Sequence, residues 1–180
     1  MKYNKKKIIY FLFLFALGTL GRLLLKDIPN IETLTLASVL GGVFLGGIYA
    51  IILPLLMVAF SDIIIGNSPI LLFTWSAWLG IGAMSLILKK IKRNNFSFIL
   101  KTTLAGLGFN LFFYLWTNFG VWVMGNWYPK NFYGLIECYV MGLPFLKYQI
   151  TGNLIFIPLA SFSVIFLKKV NFLNINSFAK

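Results

Sequence analysis

The sequence predicts an all-α integral membrane protein, and three observations carry that prediction. Of 180 residues, 59% are hydrophobic and only 11% are charged, against about 45–50% apolar in soluble domains. The apolar residues fall in runs long enough to cross a bilayer, which takes about 20 residues. The basic residues that separate the runs cluster on alternate connectors. A soluble chain of this composition would expose more apolar surface than it could cover.

The elements follow in order. Lys2, Lys5, Lys6 and Lys7 precede an apolar run over residues 8–25 that is interrupted by Arg22. A basic tail before an apolar run is also the form of a secretory signal, with Ala16-Leu17-Gly18 as a loose cleavage site. The run continues past that site, so a retained first span is expected. Lys26 to Glu32 is a polar connector with Pro29-Asn30 as its breaker. From Thr33 to Ile65 the apolarity is nearly continuous, too long for one upright helix. The Gly41-Gly42 and Gly46-Gly47 pairs divide it into spans over 33–46 and 49–65, the latter containing Pro54. Gly42 and Gly46 form a GxxxG that permits close helix packing in lipid.

Asn67-Ser68-Pro69 reads as a cap with a first-turn proline. It opens a span over 70–88 that ends in Lys89, Lys90, Lys92 and Arg93. The next span, 96–116, carries Thr102, Gly106 and Asn110 on one face, where Gly106 and Asn110 are expected to pack between helices. Thr117 to Gln149 mixes polar turns with an apolar stretch from Tyr133 to Leu146. That stretch is short for spanning and contains Glu137 and Pro144, so a short embedded or interfacial helix is expected there. A last span over 150–167 is kinked at Pro158.

With six spans and a cytoplasmic N-terminus, twelve of the 16 basic residues fall inside: Lys2, Lys5, Lys6, Lys7, Lys89, Lys90, Lys92, Arg93, Lys101, Lys168, Lys169 and Lys180. Arg22, Lys26, Lys130 and Lys147 fall outside. This is the positive-inside bias of short loops, and an odd number of spans would put Lys168 and Lys169 outside. Both termini are therefore expected in the cytoplasm of a multi-pass plasma-membrane protein forming a single transmembrane domain. The inner lysines would meet anionic headgroups of the lipid bilayer. No basic face is interleaved with aromatics, so no nucleic-acid partner is expected.

The inventory narrows the chemistry further. The absence of histidine excludes triads and HExxH zinc sites. A single cysteine, Cys138, excludes an internal disulfide and a cysteine-cluster metal site. There is no phosphate loop and no dinucleotide fingerprint. No enzyme, cofactor or metal is expected.

Polar and aromatic residues collect on the outer side. All five tryptophans (Trp75, Trp78, Trp116, Trp122, Trp127) are expected near that face. Such a one-sided set either anchors a long connector or walls a pocket for a flat, ring-bearing ligand. Asp62 sits near the outer end of the third span; an ionised group costs about 2.5–3.5 kcal/mol at mid-depth and less near the interface. It either pairs with Arg22 or contacts ligand. Glu137 has the same two readings, with Lys130 or Lys147 as partner. Asn118 and Asn153 either cap helix ends or face the pocket, and Tyr139 either anchors the interfacial helix or offers its hydroxyl. Cys138 is expected to be a small buried apolar residue. The candidate ligand set is thus Asp62, Trp116, Asn118, Trp122, Glu137, Tyr139 and Asn153.

Several stretches carry a family resemblance: Pro29-Asn30 through Gly41-Gly42, Pro54 to Ser61-Asp62, Thr117-Asn118-Phe119-Gly120-Val121-Trp122, Cys138-Tyr139 to Leu143-Pro144-Phe145, and Gly152-Asn153. Together they resemble an uncharacterised transport-protein family that looks related to the S components of energy-coupling factor (ECF) transporters. The Thr-Asn-Phe-Gly-Val-Trp stretch is the most specific part. The resemblance implies a six-helix protein that captures a vitamin-like or micronutrient small molecule from outside. A separate coupling subunit and two ATPases would then drive its release inward. One departure stands out. S components that share an energising module often carry two alanines four residues apart in the first helix, and no two alanines here are so spaced. Two other readings stand beside this one. The first is a non-transporting scaffold of the six-span morphogenesis type, with its polar groups satisfied internally. The second is a membrane enzyme built on Asp62 or Glu137.

Overall fold

A computed structural model describes residues 5–28, 31–66, 69–93 and 95–169. Lys2, Pro29-Asn30, Asn67-Ser68 and Lys180, invoked above, lie outside the described residues. Six α-helices follow one another, with no strand among the described residues: α1 Lys5–Leu24, α2 Leu34–Phe44, α3 Gly47–Ile65, α4 Leu71–Ser85, α5 Phe96–Met124 and α6 Phe132–Lys169. A 3₁₀ turn over Leu86–Lys90 extends α4. Counting α4 with that extension, five helices are long and apolar enough to cross a membrane.

The distribution of side chains is the reverse of a soluble domain. Large apolar residues point outward from the long helices, Leu24, Ile63 and Leu72 among the most exposed. Ser38, Ser61, Ser85, Thr102, Asn110 and Ser161 are fully buried. Lipid as solvent explains both halves of that pattern, because apolar faces need no cover there and polar groups need internal partners. Thr102 and Ser161 illustrate it, joining α5 to α6 by a hydroxyl pair at 2.8 Å.

The sixth helix is the exception in length. α2 has 11 residues, about 16 Å at 1.5 Å per residue, half of a hydrocarbon core. All 11 are buried, as expected for a helix apolar on every side. It packs against each of the other five helices. Glycines let these backbones meet: a Cβ on Gly18 of α1 would lie 2.1 Å from Met57 Sδ, and one on Gly42 would lie 2.1 Å from the Ser85 carbonyl oxygen. Pro54 leaves the Ala50 carbonyl without its helical donor, and Gly82 of α4 sits directly over that site.

The structure corrects three expectations. Gly46 does not belong to a helix face. It stands between α2 and α3 with φ of 63°, followed by Gly47 at 55°, a conformation that glycine adopts without strain. So Gly42 packs and Gly46 turns. The short embedded helix and the last span are also a single helix, α6, of 38 residues. Pro144 removes only one helical hydrogen bond, and close packing against α5 along most of its length holds α6 continuous. α5 likewise runs on to Met124, through the residues read as a polar turn.

Candidate functional site

Continuity of α5 and α6 creates a cleft. Tyr114, Thr117, Asn118 and Val121 form one face of α5 at helical spacing, and Cys138, Met141, Gly142 and Gln149 form the facing side of α6. Ile70 and Thr74 at the start of α4 close one edge, and Trp127 and Tyr128 of the α5–α6 connector close the top. The cleft, which is open along one side, has a volume of about 420 Å³, the size of a small-molecule site. It lies in the halves of α5 and α6 remote from Arg93 and Lys168. Its lining contains no Lys, Arg, Asp or Glu.

Two amides supply its polarity. A Cβ on Gly142 would lie 2.4 Å from Asn118 Oδ1, so glycine makes room for that side chain. Asn118 donates from Nδ2 to the Tyr114 carbonyl at 2.8 Å, which turns Oδ1 toward the cleft side. Its own carbonyl accepts from Cys138 Sγ at 3.3 Å. Gln149 is 5% exposed, yet its side-chain amide has no hydrogen-bond partner among the described residues. Its amide atoms keep access to the cleft, where a ligand carbonyl or hydroxyl can bond them. Burial pushes the Tyr128 phenol up, helped by Cys138 and Glu137, so the connector presents a neutral hydroxyl.

The connector is fastened by Trp122 of α5 and by two of its own side chains, Lys130 and Asn131. Trp122 Nε1 donates to the Pro129 carbonyl at 2.9 Å. Lys130 Nζ donates to the carbonyls of Trp122, Val123 and Gly125, where a cation complements the negative end of α5. Asn131 Oδ1 accepts from the Gly134 N–H at 2.9 Å, the geometry of an N-cap on α6.

The other predicted residues stand elsewhere. Arg22 Nη1 meets Asp62 Oδ1 at 2.7 Å and also reaches Ser61 Oγ. Trp75 Nε1 donates to Asp62 Oδ2 at 2.8 Å. Both carboxylate oxygens are therefore occupied, away from the cleft. Trp116 donates to Ser76 Oγ at 2.9 Å and shares a shallow outer groove with Phe119 and Tyr139. Tyr139 Oη donates to the Leu115 carbonyl at 3.2 Å. Glu137 is exposed and forms no hydrogen bond or ion pair among the described residues. Trp78 is buried in the core against Phe113, not at an interface. Asn153 is 1% exposed and joins Asn110, below the cleft, at 3.1 Å.

Of the predicted ligand set, Asn118 alone lines the cleft. Sequence reasoning missed Thr74, Tyr114, Thr117 and Gln149. Tyr114 and Thr117 could have been found from Asn118 by helical spacing, and Gln149 from Cys138 once α6 was read as unbroken. Residues 2–175 match the model of a family of unknown function, DUF6580. No curated protein and no solved structure matches the chain.

Proposed function

We propose that this chain, which belongs to that family of unknown function, captures a small neutral, ring-bearing molecule in the α5–α6 cleft for passage across the plasma membrane. One observation carries the reading: an uncharged cleft with aromatic walls, bordered by a glutamine side-chain amide that has no partner among the described residues. A charged substrate would find no counter-charge there, whereas a ring bearing carbonyl, amide or hydroxyl groups would find stacking surface and hydrogen bonds.

The reading places both termini in the cytoplasm. α2 counts as the sixth crossing, because the chain reverses direction on either side of it. Lys89, Lys90, Lys92, Arg93, Lys168 and Lys169 then face inward and the cleft faces outward. The chain has no nucleotide motif, so inward release is assigned to a separate coupling subunit and ATPases, as in ECF S components. The chain itself is a carrier subunit and not an enzyme.

A scaffold role is the second reading. It is favoured by the groove of Phe112, Trp116, Phe119 and Tyr139, which would suit an aromatic partner helix. Mass spectrometry of gently purified protein separates the two. Capture predicts a bound small molecule that is lost in Gln149→Leu and Asn118→Leu and kept in Trp116→Leu. Protein that is empty in every preparation, with uptake unchanged in the first two variants, sinks the capture reading.

A further inference from the structure

Glu32 was read as part of a polar connector, but its carboxylate turns inward. Oε2 accepts from the Thr35 N–H at 3.1 Å, and Oε1 lies 2.8 Å from Thr35 Oγ1. The same hydroxyl is 3.2 Å from Asn110 Oδ1, which also accepts from Asn153 Nδ2 at 3.1 Å. Thr35 and Asn110 are fully buried, and Asn153 is 1% exposed.

The donors in this cluster do not suffice. Thr35 has one hydroxyl proton and two acceptors within reach, Glu32 Oε1 and Asn110 Oδ1. Asn153 Oδ1 is buried with no partner among the described residues. Turning that amide over would only exchange the deficit, setting two amide oxygens against each other. The cluster therefore holds a carboxylate, a hydroxyl and two amide oxygens, and lacks positive charge.

We infer that Glu32, Thr35, Asn110 and Asn153 form a buried site for a hard monovalent cation of sodium size. All four donors are oxygens, which suits alkali and alkaline-earth ions and not zinc or copper. A single carboxylate balances one charge, whereas sites for divalent ions gather several carboxylates or keep water and phosphate ligands. The Thr35 N–H bonds Oε2, so the positive end of α2 is already satisfied, and an ion would take Oε1 together with the Thr35 hydroxyl oxygen that now donates to it. α2 begins below the outer end of α1, since Thr33 Oγ1 donates to the Leu17 carbonyl at 2.8 Å.

Electrostatics agree with an unmet positive charge. Burial pushes the Glu32 carboxyl above its usual range, against the Thr35 hydrogen bonds and the charge of Arg22. Arg22 is the charged neighbour acting on it and is already held by Asp62. Asn110 and Asn153, the side chains from α5 and α6, are neutral.

This inference goes beyond ligand capture and is read on ligand-free protein. The test is the thermal unfolding midpoint of the purified chain in detergent at fixed pH and ionic strength, with sodium chloride replacing choline chloride. A saturable rise of several degrees with sodium is expected. It should vanish in Glu32→Gln, and its half-saturation should move about tenfold or more in Thr35→Val, which keeps the side-chain shape. If Glu32→Gln fails to fold, Thr35→Val decides. A sodium response unchanged in these variants puts the ion elsewhere and overturns the inference. A midpoint that ignores sodium overturns it too. If that midpoint also falls with rising pH in the parent chain and is flat in Glu32→Gln, the occupant is a proton. The direction follows because a carboxyl raised by folding contributes stability at low pH and loses it as pH rises through the folded pKa.

Discussion

Asp62 and Gln149 are equally hidden, each 5% exposed, and the chain uses them in opposite ways. Both oxygens of Asp62 are bonded, to Arg22 on α1 and Trp75 on α4. The amide of Gln149 has no partner among the described residues and borders a cleft. Depth alone therefore does not mark a functional polar group in a membrane protein. What marks it is a hydrogen-bonding capacity that the fold has left unused. Asp62 ties three helices together, and Gln149 is held in reserve.

The largest effect expected from this contrast is on Arg22. Arg22→Met strands a buried carboxylate and should cost about 3–5 kcal/mol, seen as a lower unfolding midpoint. Adding Asp62→Leu should recover most of the loss, and a double variant as unstable as the single would break the contrast. Next comes Gly142→Ala, whose new Cβ would lie 2.4 Å from Asn118 Oδ1. It should cost about 1–3 kcal/mol and displace the amide from the cleft, and Asn118→Ala in the same chain should restore stability but not binding.

Gln149→Leu sharpens the comparison because stability and binding should part. Ligand affinity should fall about 10- to 100-fold, or roughly 1–3 kcal/mol. The unfolding midpoint should hold or rise, since an unpaired amide is removed. The smallest effect is expected from Lys130→Met, about 0.3–1 kcal/mol for a cation at a helix end. Hydrogen exchange over residues 125–131 should quicken without loss of the helices.

Much of the helical layout was legible in the sequence. The runs over 8–25, 49–65 and 70–88 lie close to α1, α3 and α4 with its extension, because twenty apolar residues in succession leave few alternatives. Gly46-Gly47 announced the reversal between α2 and α3. The reading failed where proline and polar residues were taken as punctuation. Pro144 does not break α6 when α5 supports it from the side, and Thr117-Asn118 lies within a helix that continues. The site was less legible for the same reason. With α6 cut in two, Cys138 and Gln149 had no common face, and no rule of spacing connected them. Asp62 drew notice as a charge in an apolar run, although scarcity of charge is a cue to cost and not to role. Glu32 looked like connector because Asn110 and Asn153, which lie beyond its partner Thr35 in the same chain of hydrogen bonds, are distant in sequence.

The shortness of α2 bears on how the chain is made. A helix of about 16 Å has polar backbone ends within the bilayer, so it cannot rest in lipid as an independent span. At its C-terminal end the Val43 carbonyl accepts from Arg93 Nη2 at 2.6 Å, a partner 50 positions downstream. Arg93 is synthesised well after α2, behind the whole of α3 and α4. The end of the most buried helix in the bundle is therefore closed only by a residue made later in the chain.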